Sequence, residues 1–280
     1  MDYFTLSLLV VIGLCIGSFA NVCIFRLPRE CLSPFRGFSF CPLCLNTIKW
    51  YDNIPLLSYL ILKGKCRFCH ARISIRYPLI ELLFGIISPL LYHYYNTNLH
   101  IKSQGIVAFA VLFFLVFVII VSSIIDLKYR IIPDELTVGG LIVGLILSPF
   151  IHIYGNSFYV LPALNVPDTI LRIAYSVTGA IVGGGLLYFI GVVGELIFKK
   201  EAMGFGDVKF MAMFGSYLGW QLIIISFLAA CFVGSIIGII YFVITKDHYI
   251  PFGPFLSCGL LFSIFSNEYI IHFLQNIWKT

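Results

Sequence analysis

The chain has 280 residues, of which 60% are hydrophobic and only 11% are charged, whereas soluble domains carry roughly 45–50% and 25%. So few charges do not cover the surface of a water-soluble globule, and the composition therefore places the protein in a lipid bilayer. The net charge of +5 would suit a nucleic-acid-binding protein only if the basic residues followed one face. Half of them cluster between positions 26 and 76 instead, so we expect no nucleic-acid partner.

The first apolar segment runs without a charge from Tyr3 to Phe25 and is long enough to cross a hydrocarbon core of about 30 Å. A signal peptide is disfavoured because the positive charges follow this segment and no A-x-A-like cleavage site is present. The sequence predicts an all-α polytopic membrane protein with about eight transmembrane helices, the other seven at 79–95, 105–125, 136–154, 171–198, 207–219, 222–244 and 252–275.

The distribution of Lys and Arg predicts the orientation. If the N-terminus lies outside, fifteen of the 18 basic residues fall on the inner side and only Lys102, Arg172 and Lys279 fall outside. Because inner loops are enriched in Lys and Arg, we expect both termini to face away from the cytoplasm. The chain then divides into a first helix at 1–25, a cysteine-rich cytoplasmic domain at 26–78 and a seven-helix body at 79–280.

Two Cys-x-x-Cys pairs lie in the predicted cytoplasmic domain. Cys41 and Cys44 form the first pair, Cys66 and Cys69 form the second, and 21 residues separate them. Two such pairs supply four thiolates for a tetrahedral structural zinc site. Disulfides are disfavoured in the reducing cytoplasm, and a redox pair would not need duplication. His70 is an alternative ligand, but four cysteines already complete the set.

Two carboxylates fall at the ends of predicted spans on the same side of the membrane. Asp126 ends the third span and Asp207 begins the sixth. Two carboxylates brought close together titrate as a coupled pair, so that one holds a proton while the other acts as a base. Aspartic proteases use this arrangement to activate water. Alternatively, Asp207 caps a helix N-terminus, and Asp126 pairs with Lys128 or Arg130.

Residues near these span ends have further interpretations. Gly204 and Gly206 precede Asp207, and glycines at such positions let a substrate strand approach the backbone closely. We expect Asp134, directly before the fourth span, to cap that helix; substrate contact is the alternative. The three glycines at 183–185 predict close helix packing, since no strand precedes them as a nucleotide-binding loop would require.

Taken together and in order, these motifs resemble the type IV prepilin peptidases, a family of bacterial inner-membrane aspartic proteases. The matching segments, which span most of the chain, are Gly17-Ser18-Phe19-Ala20-Asn21-Val22, Arg26-Leu27-Pro28, the two Cys-x-x-Cys pairs, Trp50-Tyr51-Asp52-Asn53-Ile54-Pro55, Leu57-Ser58-Tyr59-Leu60, Gly64-Lys65-Cys66-Arg67, Ile73-Ser74, Arg76-Tyr77-Pro78, Glu81, Asp126, Pro133-Asp134, Ala202-Met203-Gly204-Phe205-Gly206-Asp207-Val208-Lys209 and Pro251-Phe252-Gly253-Pro254-Phe255.

The resemblance implies a peptidase that removes the short basic leader from type IV prepilins or pseudopilins at the cytoplasmic face of the inner membrane, with both termini periplasmic. Asp126 and Asp207 match the two catalytic aspartates of the family. Asp134 and Lys209 lie in the matching segments and are expected to support the site, together with the two glycines before Asp207.

The resemblance also implies methylation of the new N-terminus with S-adenosylmethionine, because the cysteine-rich domain accompanies the bifunctional members of the family. The chain contains no Rossmann-type G-x-G-x-x-G, so this expectation depends on the resemblance alone. Gly64, Lys65 and Glu81 are the candidate residues for the methyl-donor site.

Two other function classes compete with the peptidase. An ion-coupled transporter would place Asp126 and Asp207 in broken helices near the bilayer centre, often within internal repeats, whereas here they fall at span ends and no repeat is present. An assembly factor would use the zinc domain without catalysis. The sequence carries no signal for an oligomeric state.

Overall fold

A computed structural model describes most of the chain, and helices form its regular secondary structure, apart from two isolated β-bridges. This agrees with the predicted all-α class. The chain divides into two compact units, Met1–Thr97 and Asn98–Thr280. The residues described are 2–29, 33–35, 37–97, 105–150, 167–199, 203–245, 251–267 and 270.

The first unit contains two long helices, α1 (Tyr3–Arg26) and α3 (Arg76–Thr97), which pack against each other. Glycines on α1 permit this close approach, because a Cβ at Gly17 would lie 2.7 Å from the Cα of Glu81. Small residues four positions apart commonly let membrane helices pack this tightly. The intervening residues 27–75, called the cysteine module below, contain a 3-10 helix (Trp50–Asn53) and the short helix α2 (Leu57–Ile61).

The described residues of the second unit form five helices: α4 (Ile106–Tyr129), α5 (Asp134–Leu147), α6 (Asp168–Phe198), α7 (Phe205–Thr245) and α8 (Gly253–Phe265). Helix α7 packs against α5, α6 and α8, and α8 also packs against α4. Because α4 carries Asp126 and α7 carries Asp207, helix α8 contacts both helices that carry the predicted catalytic residues.

The long helix α7 is interrupted at Gly219, whose φ of 79° and ψ of 171° are not helical. The ring of Tyr175 occupies the space that a side chain at this position would need. A continuous helix of 41 residues would be about 60 Å long, about twice the thickness of the hydrocarbon core. The break divides α7 into two segments. It falls at the last residue of the predicted span 207–219, before the predicted span 222–244.

The glycine triplet in α6 confirms the packing interpretation at two of its three positions. A Cβ at Gly183 would meet the carbonyl oxygen of Met211 in α7, and one at Gly184 would lie 3.0 Å from the Cβ of Ala212. No atom lies within 4 Å of a Cβ placed at Gly185. The first two glycines therefore let α6 and α7 approach each other, and the third does not contribute.

Four of the described helices are long and apolar enough to cross a membrane, namely α1, α4, Asp168–Ile197 of α6 and Phe205–Ile244 of α7. The predicted count of about eight is not confirmed. Helix α3 covers the predicted span 79–95 but is less apolar than these four. The predicted spans 136–154 and 252–275 extend beyond the described residues.

Candidate active site

Asp126 lies in the last turn of α4, and only 7% of its surface is exposed. Its Oδ2 accepts a hydrogen bond of 3.0 Å from the backbone N–H of Gly253. Helix α4 ends directly afterwards at Arg130, whose φ of 58° is left-handed. The Asp126 carboxylate is therefore held at a helix end by a backbone donor from a different helix.

Gly253 is a site residue to which the sequence analysis gave no role. A Cβ at this position would lie 2.6 Å from the Asp126 Oδ2, so only glycine brings its N–H to the carboxylate. Gly253 begins α8 and Pro254 follows it, a position at which proline favours the start of a helix. The Gly-Pro pair is the sequence signal for this helix start, but it does not indicate the partner of Gly253.

A second contact joins α4 to α8 close to Asp126. The hydroxyl oxygens of Ser123 and Ser257 lie 2.7 Å apart, and both serines are on the Asp126–Gly253 side of their helices by the helical repeat of three to four residues. This hydrogen bond adds a second restraint on the orientation of Asp126 relative to α8.

Asp207 is the third residue of α7 and is half-buried. Its backbone N–H donates to the carbonyl oxygen of Gly204 at 3.1 Å. A Cβ at Gly206 would lie 3.2 Å from the Cβ of Ile132, which is tight packing, so Gly206 lets the first turn of α7 lie against the segment between α4 and α5. A Cβ at Gly204 would make only an ordinary contact at 3.6 Å.

The fold brings the two predicted catalytic residues together, although 81 positions separate them in the sequence. The negative charge of Asp126 acts directly on the carboxyl group of Asp207. Two interacting carboxyl groups share protons as a pair. The arrangement is chemically able to accept a proton from water at one carboxylate and donate a proton from the other.

Asp134 does not cap its helix, so that prediction is wrong. It is the first residue inside α5, the cap position belongs to Pro133, and no side-chain capping bond forms. Instead, the Nζ of Lys209 donates hydrogen bonds to both carboxylate oxygens of Asp134, at 2.8 and 2.6 Å. This ion pair ties the start of α5 to the first turn of α7, two residues from Asp207.

The four cysteines of the two Cys-x-x-Cys pairs form one cluster. The Sγ atoms of Cys41, Cys44, Cys66 and Cys69 all lie within 4.8 Å of one another, and none of these thiols is in a disulfide. A tetrahedral zinc site with Zn–S bonds of about 2.3 Å places its sulfurs about 3.8 Å apart, so the cluster fits zinc after a small contraction. His70 is exposed and lies outside the set.

Each cysteine pair forms a turn of the same conformation. Leu45 N–H donates to the carbonyl of Cys41 at 2.8 Å, and His70 N–H donates to that of Cys66 at 3.0 Å. Both donors are left-handed, with φ of 58° and 56°. The repeated turn places the two sulfurs of each pair on one side, where they meet those of the other pair. An antiparallel β-bridge closes each turn, Phe40–Thr47 for the first and Lys65–Arg72 for the second.

Polar contacts also surround the second cysteine pair, Cys66 and Cys69. The backbone N–H groups of Cys69 and Phe68 lower the pKa of the Cys66 thiol to about 7, which favours the thiolate form that binds metal. Arg67 donates two hydrogen bonds to Asp52, at 2.7 and 2.6 Å, and thereby lowers the pKa of that carboxyl group. The pair ties the 3-10 helix to the metal cluster.

Comparison with known families agrees with this division into two parts. A family model described as the bacterial peptidase A24 N-terminal domain matches residues 11–95, and one described as the type IV leader peptidase family matches residues 112–239. A relative from Legionella pneumophila is 34% identical, over 95% of this chain and 93% of its own length. The chain belongs to the type IV leader peptidase family.

The relatives of this leader peptidase carry two kinds of name. The Legionella protein and one from Vibrio cholerae, 33% identical over 95% of this chain and 98% of its own length, are both called prepilin leader peptidase/N-methyltransferase. A protein from Escherichia coli, 37% identical over 90% of this chain and 91% of its own length, is called a type 4 prepilin-like proteins leader peptide-processing enzyme. No solved structure matches significantly.

The three candidate methyl-donor residues lie in the first unit of the leader peptidase. Gly64 is buried and left-handed, with φ of 67°, and packs against Tyr59. Lys65 follows it and is exposed. Glu81, in α3, is half-buried, and its Oε2 accepts a hydrogen bond of 2.8 Å from the N–H of Leu56. Glu81 therefore joins α3 to the cysteine module.

Proposed function

We propose that this leader peptidase cleaves the leader from type IV prepilins or pseudopilins with Asp126 and Asp207 as its catalytic pair, and then methylates the new N-terminus. Membership of the family and the names of the relatives support both activities. The observation that carries the catalytic assignment is that two carboxyl groups from distant parts of the chain lie close enough to interact electrostatically.

In the proposed reaction the two aspartates share the acid and base roles. One carboxylate accepts a proton from the attacking water, and the other carboxyl group donates a proton to the leaving amide nitrogen. The Gly253 N–H donates to Oδ2 of Asp126, and we assign the proton transfer from water to the other oxygen, Oδ1. The backbone hydrogen bond thus orients the Asp126 carboxylate, and its second oxygen can still accept a proton.

The proposed site lies at the membrane surface. Asp126 is near the end of α4 and Asp207 near the start of α7, and hydrolysis requires water, which the edge of a bilayer supplies. We place this edge, with the cysteine module, on the cytoplasmic side of a bacterial inner membrane and both termini in the periplasm. The bias of Lys and Arg in the sequence supports this orientation when the chain is threaded with the eight predicted spans.

The test of the catalytic pair is the processing of a prepilin by full-length protein in lipid vesicles. We expect Asp126→Asn and Asp207→Asn each to lower the rate by roughly 10²–10⁴-fold, the usual contribution of a general acid or base. Asp168→Asn is the matched control, because Asp168 is exposed at the start of α6. Full cleavage by both site variants would exclude the peptidase mechanism and favour a transporter or an assembly factor.

For methylation, S-adenosylmethionine would supply a methyl group bound to a sulfonium ion. We propose that Glu81, Lys65 and Gly64 bind it. The residue types fit this donor, because the Glu81 carboxylate accepts hydrogen bonds from hydroxyl or ammonium groups and the exposed Lys65 ammonium suits a carboxylate. Gly64, directly before Lys65, gives the backbone there a left-handed conformation.

Glu81→Gln separates methylation from cleavage. It removes the negative charge but keeps an oxygen that can accept the Leu56 hydrogen bond. We expect weaker binding of S-adenosylhomocysteine in calorimetry and slower methylation of pre-cleaved pilin, while leader cleavage continues at the original rate. Glu195→Gln, at an exposed position of α6, is the control. An equal loss of both activities would instead assign Glu81 a structural role.

A further inference from the structure

The cysteine module has a large excess of positive charge. Between positions 27 and 75 the chain contains seven Lys and Arg but only two acids, Glu30 and Asp52. Asp52 is already paired with Arg67. The net positive charge of the module therefore favours an anionic partner.

The module also presents apolar side chains to its surroundings. Trp50 is 81% exposed, and Leu57, Leu60 and Ile61 in α2 are 55%, 70% and 71% exposed. Residues spaced by three and four positions lie on one face of a helix, so the three aliphatic residues form one open face. Tyr59, on the other side of α2, packs against Gly64. That side of α2 is therefore in contact with the rest of the module.

Three exposed lysines lie next to these apolar residues in the sequence. Lys49 precedes Trp50, and Lys63 and Lys65 follow α2 directly. A surface with tryptophan and aliphatic side chains bordered by lysines is typical of segments that lie in the headgroup region of a membrane. We call this surface, made of Trp50, the open face of α2 and the three lysines, the basic apolar surface.

The module connects two helices that pack against each other, and the first of them is long and apolar enough to span a bilayer. The module follows Arg26 at the end of α1 and precedes Arg76 at the start of α3. Asn21 of α1 donates to the carbonyl of Tyr77 in α3 at 3.0 Å, so the two helix ends lie side by side. The module therefore emerges at one bilayer surface, within reach of its headgroups.

We propose that the basic apolar surface docks on anionic phospholipid in the leaflet at that end of α1. Trp50 and the open face of α2 enter the headgroup boundary, and the three lysines interact with lipid phosphates. A zwitterionic bilayer provides the same apolar boundary without the net negative charge. The contact therefore requires anionic lipid and weakens as salt screens the charges.

Trp50 fluorescence tests the contact in the full chain. The protein has three tryptophans, so the variant Trp220→Phe/Trp278→Phe leaves Trp50 as the only indole. It is placed in nanodiscs of phosphatidylglycerol mixed with phosphatidylcholine, or of phosphatidylcholine alone. We expect a blue shift, severalfold protection from acrylamide and quenching by lipids brominated near the headgroup, each only with phosphatidylglycerol.

Charge variants test the electrostatic part. In the Trp50-only background, Lys49→Gln/Lys63→Gln/Lys65→Gln is expected to remove the difference between the two lipids, and salt at about 1 M, where the screening length falls to about 3 Å, is expected to reduce it severalfold. A charge-matched control changes three lysines outside the module to glutamine: Lys102, Lys246 and Lys279.

Three results would overturn the proposal. The first is identical Trp50 emission and quenching in the two lipids. The second is protection from acrylamide without quenching by brominated lipid, which would mean that protein covers Trp50. The third is protection that arises only when a prepilin is added, which would assign the basic apolar surface to substrate.

Discussion

The cysteine module and the aspartate site differ in what holds their functional atoms in place. Among the described residues of 27–75, only Leu27, Cys41 and Gly64 are buried. Helix α4, which carries Asp126, buries thirteen of its 24 residues. The module therefore has almost no apolar core, whereas the aspartate site is built on a packed helix.

The difference lies in the source of the stabilising free energy. Close side-chain packing and hydrogen bonds between helices stabilise the helical unit, because lipid gives little hydrophobic driving force for helix association. The module is small and depends on local turns, the Asp52–Arg67 pair and the cysteine cluster. Structural zinc commonly contributes about 10–16 kcal/mol to the folding of small domains, which is the same order as the total stability of a typical domain. The two units should consequently respond to different perturbations.

The largest expected effect is the loss of zinc. Chelation, or Cys41→Ser, is expected to make residues 27–75 sensitive to protease while α4 to α8 stay resistant, because only the module relies on metal for its folding free energy. Limited proteolysis with mass spectrometry locates the cleavage sites, and elemental analysis counts the zinc.

Cys258→Ser is the control for this experiment, because Cys258 is an exposed thiol outside the metal cluster. Substoichiometric zinc in a well-folded wild-type preparation would contradict the tetrathiolate site and remove the proposed difference between the two units.

The second largest expected effect comes from a substitution at the aspartate site. Gly253→Ala places a methyl carbon 2.6 Å from Asp126 Oδ2. This distance is too short for a non-bonded contact, so the carboxylate must move. A shift of about 1 Å at a reacting group costs on the order of 100-fold in rate, so we expect prepilin cleavage to fall by about that factor with zinc content unchanged. The measurement is the rate of processing in vesicles.

Gly185→Ala is the matched control, since no atom lies within 4 Å of a Cβ at that position. It should cleave at the wild-type rate. Wild-type activity of Gly253→Ala itself would show that the backbone contact does not position Asp126.

The smallest expected effect concerns the Lys209–Asp134 pair, in which 28% and 60% of the side-chain surfaces are exposed. Solvent screening limits such pairs to about 0.2–1 kcal/mol. A double-mutant cycle with Lys209→Met and Asp134→Asn, followed by thermal unfolding, is expected to give a coupling energy in that range. A coupling of several kcal/mol would mean that α5 and the start of α7 depend on this pair far more than its exposure indicates.

Much of this organisation could be predicted from the sequence because it depends on short-range patterns. The cysteine cluster follows from two Cys-x-x-Cys pairs, each of which forms the same turn with a left-handed residue one position beyond its second cysteine. The positions of α4, α6 and the two segments of α7 follow from apolar segments of the sequence. Asp126 and Asp207 were found because carboxylates are rare in so apolar a chain.

Other predictions failed or were missing because they depend on side-chain partners. Asp134 was expected to cap α5 from its position in the sequence, but it is already inside the helix and binds Lys209. The count of eight spans, which came from hydropathy, is not confirmed, because four helices among the described residues qualify as spans and α3 is less apolar than these. No short-range pattern reveals which side chain a helix end will meet.

The sequence by itself determined the membrane environment, the metal ligands and the two rare carboxylates, because composition and local spacing control these features. The tertiary structure decided that Gly253 meets Asp126 across 127 positions and that Lys209 meets Asp134 across 75. These contacts depend on how α4, α5, α7 and α8 pack, and helix packing is a sum of many weak contacts between distant residues. The geometry around Asp126 therefore became visible only once the helices were placed in space.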